Sequence, residues 1–306
     1  MARWRNRLLL VAMEATYGTA ATTAGADALK LSELDVTPLE VELIDRELIT
    51  GFYGNTEKVR GARMSLATFS VELAGSGTAA TPPRFGRLLR ACGFSETATT
   101  DVVYAPISAT FESVTLAFYA DGIRHTIRGA RGTCGFSLNA KQIPKLNFEM
   151  TGLYTASAAE TNPTATFANQ ANPVVVSSAN TTPVSVHGYA ACIESLELNL
   201  ANEVVHRDLA GCTEKVEITD RKPEGTVVIE RPTLAQKDYF DAVDSQTTGV
   251  LSFKHGQTAG NICTVNMPAI NLGTPAYSDS DGVLMLSMPF MPNPVTGNDE
   301  ITLTFS

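Results

Sequence analysis

A mainly β chain is predicted, made of two tandem β-sandwich domains that each carry one short flanking α-helix and a long loop between paired strands. Three observations support this. The chain of 306 residues is 44% apolar and only 18% charged, long enough for two domains that each bury a core. Apolar residues alternate with polar ones at period two, as strands require. One six-residue stretch, GNTEKV at 54–59, returns as GCTEKV at 211–216.

Sliding the chain by 157 residues aligns 39–59 with 196–216 without a gap, and eight of the 21 positions are identical. These are Leu39/Leu196, Glu40/Glu197, Leu43/Leu200, Gly54/Gly211, Thr56/Thr213, Glu57/Glu214, Lys58/Lys215 and Val59/Val216. After one inserted residue ATFSVE (67–72) meets GTVVIE (225–230). Further on, VTLAFYADG (114–122) resembles GVLSFKHG (249–256), and KLNFEMTGLY (145–154) resembles VLMLSMPFM (283–291). A repeat of this period marks a duplicated domain, with halves at 1–155 and 156–306.

Within the repeat, Leu39, Val41 and Leu43 lie on one strand face with Glu40 and Glu42 on the other, and Leu196, Leu198 and Leu200 repeat the apolar face. Phe69, Val71 and Leu73 likewise oppose Ser70 and Glu72. Asp121-Gly122, His255-Gly256 and Asp281-Gly282 carry hairpin chemistry between strand-like runs. In PRFGRLLRACG, residues Phe85, Leu88, Leu89 and Cys92 form a helical stripe opposite Arg84, Arg87 and Arg90; LAQKDYFDAVDS (234–245) is its counterpart. Residues 155–184, rich in Ala, Thr, Asn, Ser and Pro, read as the crossover between halves. A polar stretch of about fifteen residues separates the paired strands of each half, and insertions of that length concentrate function.

Catalytic and metal signatures are not found. AGSGTA (74–79) lacks the Gly-Lys-Ser/Thr of a phosphate loop, and SDSDG (278–282) lacks the other ligand positions of a calcium loop. His125, His187, His206 and His255 have no ligand spacing. The five cysteines, Cys92, Cys134, Cys192, Cys212 and Cys263, are scattered without a C-x-x-C pair, which fits reduced and mostly buried thiols. Arg124, Arg128 and Arg131 flank one hairpin and read either as contacts to phosphate or an acidic neighbour, or as a solvated turn. The N-terminal apolar stretch Leu8–Met13 is interrupted by Glu14 and is too short for a signal peptide, so a cytosolic start is expected. No cofactor or metal is implied.

A net charge of −9 and pI near 5 argue against a protein that grips nucleic acid phosphates. Glu40, Glu42 and Glu72, with Glu197 and Glu230 in the second half, fall on polar strand faces and either face water singly or line one negative surface.

The orders RLLLVAMEATYGTAATTAGADALKLSELDVTPLE (7–40) and GARMSLATFSVELAGSGTAATPPRFGRLLRACGFSET (61–97) resemble the major tail tube protein of long, flexible-tailed bacteriophages and related prophages, and the resemblance runs over essentially the whole chain. It implies a structural virion protein without enzymatic activity, a β-sandwich with a flanking helix that assembles into rings stacked as a tube for genome passage. With a duplicated chain, a ring of six domains becomes a trimer with pseudo-sixfold symmetry. The acidic residues then face a lumen along which DNA slides without binding, and the loops at Gly54, Thr56, Glu57, Lys58 and at Gly211, Thr213, Glu214, Lys215 contact a neighbouring ring or subunit. The tape measure protein, tail terminator and distal tail protein are the implied partners, and assembly in the host cytoplasm precedes incorporation in the virion. The alternatives are another virion β-sandwich, such as a terminator, baseplate or decoration protein, and a carbohydrate-binding or hydrolytic sandwich.

Overall fold

A computed structural model describes residues 3–306. The first half runs β1 (Arg7–Met13), β2 (Ser32–Ile44), β3 (Val59–Glu72), α1 (Gly86–Ala91), β4 (Phe94–Ala98), β5 (Val102–Pro106), β6 (Val114–Ala120), β7 (Ile123–Asn139) and β8 (Lys145–Leu153). A two-residue β9 (Ala158–Ala159) follows. The second half runs β10 (Thr181–Val186), β11 (Tyr189–Ala190), β12 (Ile193–Asn199), β13 (Asn202–Arg207), β14 (Lys215–Arg221), β15 (Glu224–Glu230), α2 (Tyr239–Asp244), β16 (Gly249–His255), β17 (Cys263–Leu272), β18 (Ala276–Ser280), β19 (Val283–Pro292) and β20 (Thr302–Phe305).

One layer is a continuous antiparallel run of eight strands in the order β2-β3-β8-β7-β12-β15-β19-β18. The facing layer holds β1 and β6 beside the N-terminal part of β7, and β10, β16, β17, β20, β5 and β4 in a second stretch. β7 is long enough to belong to both layers. Its first part pairs with β6 and its last with β8, and the register shifts between Arg128 and Arg131 where it turns from one to the other. β17 does the same, pairing with β16 and then with β19.

The core lies between the layers because alternate residues point inward. Phe69, Phe148, Leu146, Leu196, Val227, Ile229 and Met288 are all buried, and the Phe69 and Phe148 rings stack at 5.7 Å between centroids. Across the other stretch, Phe305 meets Phe85 and Tyr104 edge-on at 5.6 and 5.9 Å.

Both expected helices exist and both are shorter than their apolar stripes. Phe85, Leu88, Leu89 and Cys92 are buried under α1 as the spacing predicts. Its arginines are tied down: Arg87 donates to Asp27 Oδ1 at 2.6 Å, and Arg90 makes a two-pronged contact with Glu112 at 2.6 and 2.7 Å. In 234–245 only Tyr239–Asp244 is helical, because the Asp238 carboxylate caps there, accepting from the Phe240 and Asp241 amides at 3.0 Å.

Asp121-Gly122 and Asp281-Gly282 form two-residue hairpin turns with positive φ at both positions. His255-Gly256 does not. His255 is the last paired residue of β16, buried opposite Cys263, and the connection is the longer loop 256–262. AGSGTA is packed against that loop: the Gly75 amide donates to Asn261 Oδ1 at 2.7 Å, and a Cβ at Gly75 would lie 2.0 Å from the Gly260 carbonyl oxygen. The crossover lies along the first half and is no free tether, held by Thr166 N to Gly25 O, Gln170 Nε2 to Ala28 O and Lys141 N to Val176 O. Glu14, which interrupts the N-terminal apolar stretch, accepts from Ser113, Thr115 and the amides of Gly18 and Gly129 at 2.7–2.8 Å.

The halves are joined twice by strand pairing. β7 pairs with β12, from Ser195 opposite Asn139 to Asn199 opposite Gly135, and β20 pairs with β5.

Candidate assembly surfaces

The outward face of the eight-stranded layer is polar and acidic. Residues directly opposite one another in a pair share a face. Glu72, Lys145, Ser137, Glu197, Thr226 and Pro289 therefore form one row across β3, β8, β7, β12, β15 and β19. A second row carries Asp35, Thr68, Glu149 and Thr133, and a third carries Ser70, Asn147, Gly135, Asn199 and Glu224. Glu230 lies on the same face as Thr226 and Val228 by alternation along β15. The surface dips into a trough of about 730 Å³ centred on the β7–β12 junction, with Asn147, Glu149, Glu197 and Thr226 among its lining.

Lys145, the basic residue of the first row, is neutralised by Glu33 at 2.6 Å. The Lys145 ammonium, with the Ser70 hydroxyl, holds the Glu33 carboxyl below the usual carboxylate range. Of the residues singled out in the sequence, Glu72, Glu197 and Glu230 thus belong to one continuous face. Glu40 stands at its margin, opposite Met64, the last β3 residue that pairs with β8. Glu42 lies beyond it on the free part of the hairpin. Asp35, Glu149 and Glu224 complete the face and were not among the candidates, although Leu146, Phe148 and Met150 alternating with Asn147 and Glu149 carry the signal for one of them.

The twin turns have unlike surroundings. Residues 45–58 form an open loop, held internally by Thr56 Oγ1 to Arg46 O at 2.7 Å and Lys58 to Asp45 at 2.9 Å. Ile49, Phe52 and Tyr53 are almost wholly exposed on it. Gly54, Glu57 and Lys58 are exposed as well, and Thr56 is half-buried. In the second half the corresponding chain folds into the ribbon β13–β14, and only its tip is bare: Gly211 and Thr213 are exposed, Glu214 and Lys215 half-buried, with Glu214 on His206 at 2.9 Å.

This ribbon packs on the first half. Asn202 Nδ2 donates to the carbonyls of Cys92 and Gly132 at 2.7 and 2.9 Å, and Arg131 Nη1 donates to Val216 O at 2.8 Å. The Val216 amide donates to the Tyr17 hydroxyl. Arg221 spans three segments, reaching Glu300 Oε1 at 2.6 Å from Nε and Ile107 O at 2.9 Å from Nη1.

The three arginines of the first hairpin all contact groups of their own chain, although Arg124 Nε is buried without a hydrogen-bond partner. Arg124 pairs with Glu160 at 2.7 Å, Arg128 donates to Gly18 O at 2.9 Å, and Arg131 donates to Phe111 O at 2.6 Å. Among the described residues no group of three or more His, Cys, Asp or Glu side chains is placed to hold a metal ion. Cys92, Cys134 and Cys263 are buried free thiols, whereas Cys192 and Cys212 are exposed.

The chain is a mainly β protein, a two-layer antiparallel sandwich with an extended loop, an acidic sheet face and one bare strand edge at each end of that sheet. A family model described as phage tail tube protein matches residues 4–306, and the chain belongs to that family. It is a structural, non-enzymatic component of the phage tail tube in the virion. A comparison with curated proteins finds no match.

Proposed function

We propose that three copies of the chain close into a ring of pseudo-sixfold symmetry, that rings stack into the tube of a long flexible tail, and that DNA leaves through a lumen lined by the acidic sheet face. Residues 1–155 and 156–306 are then tandem copies of one domain, each filling one of six ring positions. The observation that carries this is the eight-stranded layer, to which each half gives four strands, β2, β3, β8 and β7 from one and β12, β15, β19 and β18 from the other. The pairings β1–β6 and β10–β16, β6–β7 and β16–β17, and β3–β8 and β15–β19 recur in the same order.

Three such layers give about 24 strands. At roughly 4.8 Å spacing and about 40° tilt, the circumference is about 150 Å and the diameter about 48 Å, which leaves a duplex-wide channel inside the side chains. Acidic groups spread over that wall repel phosphates from every side, so DNA passes without a site to hold it. The open loop 45–58 reaches the adjoining ring, and the tape measure, terminator and distal tail proteins meet the tube inside and at its ends. Negative-stain microscopy of the purified chain, alone and with its initiator complex, tests the reading. Stacked rings of three chains are expected; a protein that stays monomeric under all assembly conditions refutes it.

A further inference from the structure

In the facing layer, β6 and the first part of β7 turn one side to the core and the other away from it. Val114, Leu116 and Phe118 of β6 and Ile127 of β7 belong to the core. Thr115, Ala117 and Tyr119 lie on the other side, with Thr126 opposite Ala117 and Arg124 opposite Tyr119. The segment before β2 roofs part of this side, where the Ala21 amide donates to Thr115 Oγ1 at 2.9 Å. Between that segment and the sheet lies a cavity of about 230 Å³, on the side of the molecule away from the acidic layer.

Small side chains at Ala20, Ala21 and Ala117 give the cavity its space, and Thr22, Thr23 and Thr126 bring hydroxyls to its wall beside the Arg124 side chain. Arg124 is paired with Glu160, whose Oε2 meets Nη1 at 2.7 Å. The other oxygen of that carboxylate accepts from the Tyr119 hydroxyl at 2.9 Å. Both oxygens of Glu160 are thus engaged, and Arg124 Nε, cut off from solvent, has no acceptor among the described residues. The nearby Glu14 carboxylate does not supply one, because it already accepts from Ser113, Thr115 and the amides of Gly18 and Gly129. A buried N–H without an acceptor is costly, and each such group in a native fold calls for an explanation.

We propose that this cavity binds a small tetrahedral oxyanion, phosphate or sulfate, held by the Arg124 guanidinium and the hydroxyls of Thr22, Thr23 and Thr126. The guanidinium only donates and the hydroxyls can turn to donate, which suits a ligand whose oxygens accept. A guanidinium is a rigid fork, so Arg124 can keep Nη1 on Glu160 and offer Nε to a second acceptor. Glu160 balances the charge of Arg124, so the attraction acts at short range and the affinity is about millimolar. The volume takes the anion together with several waters at about 30 Å³ each. Arg124 is then the residue at which two sequence readings of this hairpin meet, with an acidic neighbour on one nitrogen and phosphate on another. The site lies within one chain and does not depend on the ring reading.

Thermal melts of the full chain test the site. At constant ionic strength and near-neutral pH, replacing chloride by inorganic phosphate up to about 20 mM is expected to raise the melting temperature by about 2–5 °C, along a saturating curve with its midpoint at a few millimolar. Line broadening of the phosphate resonance in phosphorus NMR should give the same midpoint, and sulfate should compete. Excluded salts such as these also stabilise proteins that have no site for them, so variants decide the matter. Thr22→Val with Thr126→Val keeps the side-chain shape and the Arg124–Glu160 pair. Its melting temperature in chloride is expected to stay within about 2 °C of the parent, while phosphate binding weakens at least about fivefold. Arg124→Gln should abolish the saturable part of the curve.

A rise that is linear in phosphate and equal in parent and variants is salt exclusion alone and overturns the site. A phosphate resonance that the protein does not broaden overturns it as well. Glycerol 3-phosphate distinguishes the source of the anion. Competition by it supports a mouth that admits a phosphomonoester; continued binding of inorganic phosphate without such competition supports a site for the free anion.

Discussion

Arg221 and Glu300 make a buried ion pair that fastens β14 to the segment before β20. Their side chains are 11% and 6% exposed, and the guanidinium also donates to Ile107 O in the first half. Glu300→Gln keeps the shape and removes the charge, leaving a guanidinium shut away from water without a counter-ion. Removing one partner of a buried pair costs about 3–5 kcal/mol. For a unit of this size each kcal/mol moves the melting temperature by roughly 2–4 °C, so a fall of about 6–20 °C is expected. Replacing both residues by apolar ones of similar length, Arg221→Met with Glu300→Leu, should recover most of that loss, because no charge is then stranded. Differential scanning calorimetry of the three proteins measures both effects. A Glu300→Gln protein that melts within about 1 °C of the parent, or a double variant that melts as low as the single one, would refute the account of this pair as a desolvated clasp.

Three more outcomes are expected. Glu72→Lys with Glu197→Lys places two cations in one cross-strand row of the acidic face; tubes should still form while infectivity of a complemented phage drops, and normal infectivity would take these residues off the lumen wall. Deleting residues 50–58 should leave the circular dichroism spectrum and melting temperature close to the parent's and prevent stacking of rings; long tubes from the deletion protein would show that the loop is not the contact. Burial holds the imidazoles of His187 and His255 below their ordinary range. The unfolded chain therefore binds protons near pH 6.5 that the folded chain refuses, and stability should be full above that pH and decline as pH falls through it. Melting temperatures between pH 7.5 and 5 measure the slope, which His255→Gln should flatten.

Local chemistry made much of this fold legible. Period-two alternation placed Phe69, Val71 and Leu73 and then Leu196, Leu198 and Leu200 on buried faces, and all six are buried. The same pattern at Leu39 and Leu43 reported an apolar side correctly and could not report that the chain leaves it bare. The β7–β12 and β5–β20 pairings left no local trace, since antiparallel pairing between strands distant in sequence follows from burial of both and from no motif at the contact. His255-Gly256 failed as a hairpin signal because the side chain was needed in the strand, where its ring nitrogens meet Thr181 and the Val174 carbonyl. The acidic face was only half legible: single glutamates were visible, whereas the rows that unite them depend on registers across six strands.

β5 receives its outer partner from Thr302–Phe305, with Tyr104 opposite Leu303, a separation of 199 positions along the chain. At a synthesis rate of roughly 5–20 residues per second, about 10–40 s pass between the emergence of the two strands. Until β20 is made, β5 has only β4 as a partner, and Phe85 and Tyr104 lack the Phe305 ring that meets them in the complete chain. The outer layer of the first half is thus completed by a strand of the second, and the contacts of Phe305 with Phe85 and Tyr104 exist only once both halves have been made.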